Sequence, residues 1–246
     1  MKNFNLFTFL GIVLLLLFVT GCQNQEDYLH DTSASHTAVM STAETRATDI
    51  SFYQGADLSY VNELEDVGVK YHKDGSEVDP FTLIHSYGAN IVRLRLWHNP
   101  TWTNYSTLDD VKRSIRRAKS AGLDVLLDFH YSDTWTDPQQ NLVPAAWKPV
   151  VKYSSLLADS VYNYTYRTLE HLNSVGLLPV MVQIGNETNF NIMVADNNDL
   201  EPVNFARNVK LFNAGLKAVS DFNAKYGKQI MTMLHVALDP GSAATW

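Results

Sequence analysis

The chain has 246 residues, 46% of them hydrophobic and 18% charged, which is enough to bury one sizeable core. Its formal net charge is -7, from 26 acidic against 19 basic residues, and it carries no basic stripe, so nucleic acid is not expected as a partner and a neutral ligand is favoured. A single cysteine excludes an intrachain disulfide.

The first element is a leader. Lys2 precedes an apolar run from Leu6 to Val19, of signal-peptide length and short for a membrane span. The run closes in Val19-Thr20-Gly21-Cys22, which resembles a bacterial lipobox. Residues 1–22 are therefore expected to be a lipoprotein signal peptide. Cys22 would be the lipidated first residue of a chain anchored to the membrane, at the outer membrane or cell surface. The plainer alternative is an ordinary cleaved signal with a chance cysteine. Residues 23–50, rich in Ser, Thr, Ala and His, read as a flexible tether.

From Ser51 onward, short apolar strands alternate with amphipathic helices. Phe52 to Asp57 reads as a strand and Leu58 to Val67 as a short helix closed by Gly68. Lys73-Asp74-Gly75 signals a hairpin turn inserted between Tyr71 and Val78. Pro80 to Tyr87 begins with proline in its first turn, as helices do. Ile91 to Trp97 is a second strand. Thr107 and Asp110 open a helix whose apolar face is Leu108, Val111, Ile115 and Ala118. Val125 to His130 is a third strand, and Leu157, Val161, Tyr164, Thr168 and Leu172 stripe a long helix ending at Gly176. Pro179 to Gly185 is a fourth strand. Phe205, Val209, Phe212, Leu216 and Val219 stripe a helix that stops at Gly227, before a fifth strand, Ile230 to Val236.

This βα alternation predicts a parallel sheet with right-handed crossovers. A doubly wound sheet and a (β/α)8 barrel both fit. No Gly-rich fingerprint follows the first strand, whereas polar residues gather at strand ends: Asp57, Arg93, Arg95, His130, Glu187 and His235. Sites assembled from many strand ends are the habit of the barrel. The expectation is the N-terminal part of a (β/α)8 TIM barrel, about five βα units, truncated after strand five; a complete barrel needs roughly 200 to 250 residues.

Val180 to Glu187 is the stretch with most chemistry in it. A buried strand has no use for a carboxylate unless its end opens into a site, and Glu187 stands at such an end with Asn186 beside it. A helix-capping Glu is the bland alternative. Arg93 and Arg95 lie two apart and so share one strand face. A buried Arg needs an anionic partner, and one of the two is expected to reach a catalytic carboxylate. Asp128-Phe129-His130-Tyr131-Ser132-Asp133-Thr134-Trp135 is the densest polar and aromatic cluster. Trp97, Trp102, Trp135 and Trp147 lie in or near the loops after strands two and three, where rings stack on the apolar faces of sugars, and are hard to place as core. No HExxH or Cys/His spacing is present, so neither a metal nor a cofactor is expected.

Four blocks now carry a resemblance: Gly55-Ala56-Asp57-Leu58-Ser59; Val92-Arg93-Leu94-Arg95-Leu96-Trp97; Leu127 to Asp133 with Trp135 and Asp137-Pro138; and Val182-Gln183-Ile184-Gly185-Asn186-Glu187. Together they are similar to glycoside hydrolase family 53, the arabinogalactan endo-β-1,4-galactanases. The resemblance implies a (β/α)8 barrel and a retaining mechanism with two glutamates. Glu187 maps onto the acid/base, with Asn186, Arg93 and Arg95 around it. The nucleophile, on strand seven, maps onto nothing here, since no Glu follows Glu201. The residues 51–246 alone are therefore expected to be inactive. The implied partner is β-1,4-galactan, and the expected substrate-binding residues are Asp57, Trp97, Trp102, His130, Asp133, Trp135 and His235. Two rival readings are a surface lipoprotein that binds glycans without catalysis and a barrel glycosidase acting on another β-1,4-linked polysaccharide.

Overall fold

The computed structural model describes residues 52–237. The expected signal peptide, Cys22 and the tether lie outside the described residues. Five strands form one parallel sheet: β1 (Gly55–Asp57), β4 (Ile91–Leu96), β5 (Asp124–Phe129), β6 (Met181–Ile184) and β7 (Met231–Met233), neighbouring one another in that order. The connections carry α1 (Val61–Asp66), α2 (Pro80–Ser86), α3 (Leu108–Ser120), α4 (Ser154–Ser174) and α5 (Phe205–Tyr226). Between α1 and α2 sits the predicted hairpin, β2 (His72–Lys73) with β3 (Ser76–Glu77), and Asp74 and Gly75 both take left-handed backbone in its turn.

Helix starts follow local chemistry. Asp79 accepts hydrogen bonds from the N–H groups of Phe81 and Thr82 at 2.8 and 3.1 Å, with Pro80 in the first turn of α2. Thr107 caps Asp110 N at 3.2 Å, while the Asp110 carboxylate reaches back to Ser106 N at 2.8 Å. Below the sheet, Arg117 of α3 clamps Glu65 with two bonds of 2.6 and 2.8 Å and also holds Asp79 at 2.6 Å, tying α1 and the start of α2 to α3.

The parallel register sorts the strand residues onto two faces. Val92, Leu94 and Leu96 line up with Val125, Leu127 and Phe129, then with Val182 and Ile184; all are buried in the core under the helices. Gly215 of α5 lets that helix come close to β6, since a Cβ there would stand 2.7 Å from Ile184 Cγ2 and 3.1 Å from the Tyr131 hydroxyl. The opposite face carries Asp57, Arg93, Arg95, Asp128 and Gln183.

The two outer strands are shorter than the sequence suggests. β1 starts at Gly55 rather than Phe52, and β7 ends at Met233 rather than Val236. The reason at β7 is specific: the His235 carbonyl accepts from Thr188 N at 2.8 Å, and Asn189 bonds Ala237 on both sides at 2.7 and 2.9 Å. The backbone after Met233 is thus engaged by the loop that follows β6, not by a neighbouring strand.

Candidate active site

β6 is followed directly by Gly185-Asn186-Glu187, and the chain there turns sharply, with φ of +86° at Gly185 and +46° at Glu187. Gly185 has no substitute, because a Cβ would meet Thr188 Cγ2 at 2.7 Å as well as an unfavourable φ. A glutamate in left-handed backbone is uncommon, and such residues cluster at functional sites. Glu187 is half-buried, and its carboxylate accepts no hydrogen bond among the described residues.

Arg93 organises the surroundings. Its guanidinium donates to Asp57 at 2.5 Å, Asn186 Oδ1 at 2.6 Å and Gln183 Oε1 at 3.1 Å. Asp128 Oδ2 lies 2.6 Å from Arg93 Nη2 and 2.9 Å from His130 Nε2, both off the line a hydrogen bond needs, so the Arg93 contact is an ion pair without a hydrogen bond. The other Asp128 oxygen accepts from Gln183 Nε2 at 2.6 Å. At Asp57, burial pushes the carboxyl up, but bonds from Ser59 and the Arg93 charge outweigh it and hold the carboxyl below its usual range.

Asn186 is almost fully committed. Oδ1 faces Arg93 and, at 2.9 Å, His235 Nδ1, while Nδ2 donates to the Thr136 carbonyl at 2.6 Å. One Nδ2 hydrogen is left for a ligand. Burial, followed by the Arg93 charge, keeps the His235 ring below its ordinary pKa against the pull of Asp128 and Glu187.

Arg95 has a different fate from Arg93. It is 2% exposed, and among the described residues it meets no carboxylate. Its Nε donates to Ser106 Oγ at 3.0 Å, and its guanidinium lies over the rings of Tyr60, Trp97 and Trp135 at 4.4, 4.4 and 5.3 Å. The expected anionic partner is replaced by aromatic faces, which attract a desolvated cation through their quadrupoles.

The tryptophans divide. Trp135 is half-buried beside His130 at 5.5 Å, and its indole N–H bonds Asp137. Trp102 is 63% exposed and tilts against Trp97 at 5.1 Å. Trp97 and Trp147, however, are buried, and Trp147 packs against His98 and Tyr164 at 4.8 and 5.8 Å. The reading of all four as too many for the core is corrected for two of them: Trp147 fills the space between α4 and the 3₁₀ turn Ala145–Val150, and Trp97 is buried against Arg95 and Trp102. Asp133 spends its carboxylate on the N–H groups of Asn99 and Ala145, at 2.9 and 2.8 Å, as a brace between loops. It does not join the Arg93 cluster. Gln183 and Thr136 are site residues that the sequence reading did not single out. A polar Gln at the same inward position as Asp128 on the next strand is the signal that was available for the first.

A family model described as glycosyl hydrolase family 53 matches residues 53–246. The chain belongs to glycosyl hydrolase family 53. An arabinogalactan endo-beta-1,4-galactanase from Cellvibrio japonicus is 49% identical over 201 residues, covering 81% of this chain and 53% of the relative. The solved structure of the Ignisphaera aggregans GH53 catalytic domain superposes with TM-score 0.66 at 32% identity, over 78% of this chain and 53% of that one. One from a study of two fungal beta-1,4-galactanases gives TM-score 0.69 at 34% identity, over 79% and 57%. The chain thus spans about half the length of the curated relatives it matches. Family 53 structures are (β/α)8 barrels, and the five parallel strands with their helices are consecutive units of that barrel. The cluster around Glu187 stands at the C-terminal ends of the strands, where barrel enzymes build their sites.

Proposed function

We propose that the full-length protein is an endo-acting glycoside hydrolase that cleaves β-1,4-galactosidic bonds in galactan and type I arabinogalactan with retention of configuration. The observation that carries this reading is Glu187: a carboxylate without a hydrogen-bond partner among the described residues, on left-handed backbone at a strand end, beside an amide with one donor to spare. Glu187 protonates the departing glycosidic oxygen and then, as carboxylate, takes a proton from the incoming water. A second carboxylate, about 5 to 5.5 Å from that of Glu187, attacks the anomeric carbon. Asp57 and Asp128 are poor candidates for that attack, since Arg93 already engages both. We assign it to a later strand of the barrel, outside these residues. The spare Asn186 N–H donates to the hydroxyl next to the reacting carbon. Trp135 and the exposed Trp102 offer ring faces to neighbouring sugars. Cys22, lipidated, tethers the enzyme to the outer membrane or cell surface.

The test is NMR of the first product anomer released from β-1,4-galactan by the full-length protein, together with Glu187→Gln. The β-anomer first, with kcat of the variant down by about 10² to 10⁴, is expected. The α-anomer first, or cleavage of mannan or cellulose but not galactan, refutes the reading.

A further inference from the structure

The bonds around Asn186 determine where a hydrogen sits on its neighbour. Nδ2 donates to the Thr136 carbonyl and Oδ1 accepts from Arg93, each at 2.6 Å. Turning the amide over would set an N–H against the guanidinium and a carbonyl against a carbonyl, so its orientation is fixed. His235 Nδ1 stands 2.9 Å from the same Oδ1. Two acceptors cannot share a hydrogen bond, so Nδ1 carries the hydrogen and donates it. The Glu187 N–H also points at Nδ1, at 3.3 Å, but a protonated Nδ1 has no lone pair to offer it. The shorter contact prevails, and the longer one is not a hydrogen bond.

We infer that His235 is a positioning residue of the acid/base pair: held as the Nδ1–H tautomer, it locks the Asn186 amide and thereby the turn that aims Glu187. This rests on the reading of Glu187 as the acid/base. The ring is itself well placed for the role. The His235 carbonyl accepts from both Thr188 N and Thr188 Oγ1 at 2.8 Å, so the loop after β6 and the segment after β7 brace each other around Asn186 and Glu187. The groups facing the ring are Arg93 from β4, Asp128 from β5, His130 just after it and Glu187 itself; burial and Arg93 prevail, and the ring stays neutral at neutral pH. In that state Nε2 keeps its lone pair, and it makes no hydrogen bond among the described residues. The tautomer that fixes Asn186 therefore leaves an acceptor on the far side of the ring for a sugar hydroxyl.

Two measurements on the full-length protein test this. In ¹⁵N-histidine-labelled protein above pH 7, the ring-nitrogen spectrum of His235 should show protonated Nδ1 and bare Nε2; the opposite tautomer overturns the proposal without any variant having to fold. In kinetics, His235→Asn puts an amide N–H where Nδ1 was, whereas His235→Gln puts it where Nε2 was. The Asn variant should exceed the Gln variant in kcat by about tenfold, the size of one hydrogen bond. Equal losses in the two overturn the positioning role. If instead Glu187→Gln retains wild-type kcat, it is the acid/base reading that falls, whichever tautomer is found.

Discussion

Arg93→Met removes a guanidinium that stands between two carboxylates of unequal burial, and the two losses differ in size. The Asp57 side chain is 39% exposed, so water screens its part of the pair and the loss there is about 0 to 1 kcal/mol. The Asp128 side chain is 0% exposed. It keeps the Gln183 amide at 2.6 Å but loses the one permanent cation it has among the described residues, and an uncompensated buried charge costs about 3 to 5 kcal/mol. That is a large part of the 5 to 15 kcal/mol by which a domain is typically stable. Adding Asp128→Asn removes the stranded charge, so the double variant should be more stable than the sum of the single effects by about 2 kcal/mol or more. Urea denaturation of the full-length protein and the three variants, followed by circular dichroism, measures this coupling. Additivity to within about 0.5 kcal/mol would show that Asp128 does not depend on Arg93, and the electrostatic account of the cluster would be wrong.

Burial holds His98 below its ordinary pKa against the pull of Asp133, so the unfolded chain binds that proton first, and stability should fall as pH drops below about 6.5. His98→Phe should make that limb shallower in a stability-against-pH series, leaving the share of His235, whose ring burial also holds down, and the loss below about pH 4 that belongs to depressed carboxyls such as Asp57. Gly185→Ala forces a Cβ to 2.7 Å from Thr188 at a φ of +86° and should cost about 1 to 3 kcal/mol, with kcat falling further than the midpoint shift explains; unaltered kcat would contradict the aiming role of this turn. Trp135→Ala should raise KM for galactan several-fold with the circular dichroism spectrum intact, and wild-type kinetics would remove Trp135 from the cleft. Cys22→Ala should release the protein from membranes into the soluble fraction, and unchanged detergent partitioning would end the anchoring proposal.

The strand and helix order was legible because each unit carries its own punctuation: Pro80 and Thr107 at helix starts, Gly227 at a helix end, and apolar stripes between them. Glu187 was legible for a different reason, being a carboxylate where an apolar strand runs out. What could not be read was which partner each charge would find. Arg93 and Arg95 share a face and a residue type, yet one sits among carboxylates and the other among rings. The choice depends on where the Tyr60, Trp97 and Trp135 rings arrive from three separate segments, which no local pattern encodes. Gln183 and Thr136 were missed likewise. Their bonds run to Asp128 and Asn186, 55 and 50 residues distant in sequence, and exist only once β5 and β6 lie side by side.

The brace at Asp133 has a consequence for anyone who wishes to redesign the cleft. Its two oxygens hold Asn99 and Ala145, and its carbonyl accepts the Trp102 indole N–H at 3.1 Å, so one residue fastens the loop after β4 to both ends of the loop after β5. The His98 N–H adds a fourth stitch to the Ser132 carbonyl at 2.7 Å. The two loops are therefore one mechanical part. A graft that imports either loop from a relative with different substrate preference would arrive without its counterpart, leaving a carboxylate facing nothing and Trp102 adrift. Transplanted as a pair, with Asp133 retained, they should carry their shape with them.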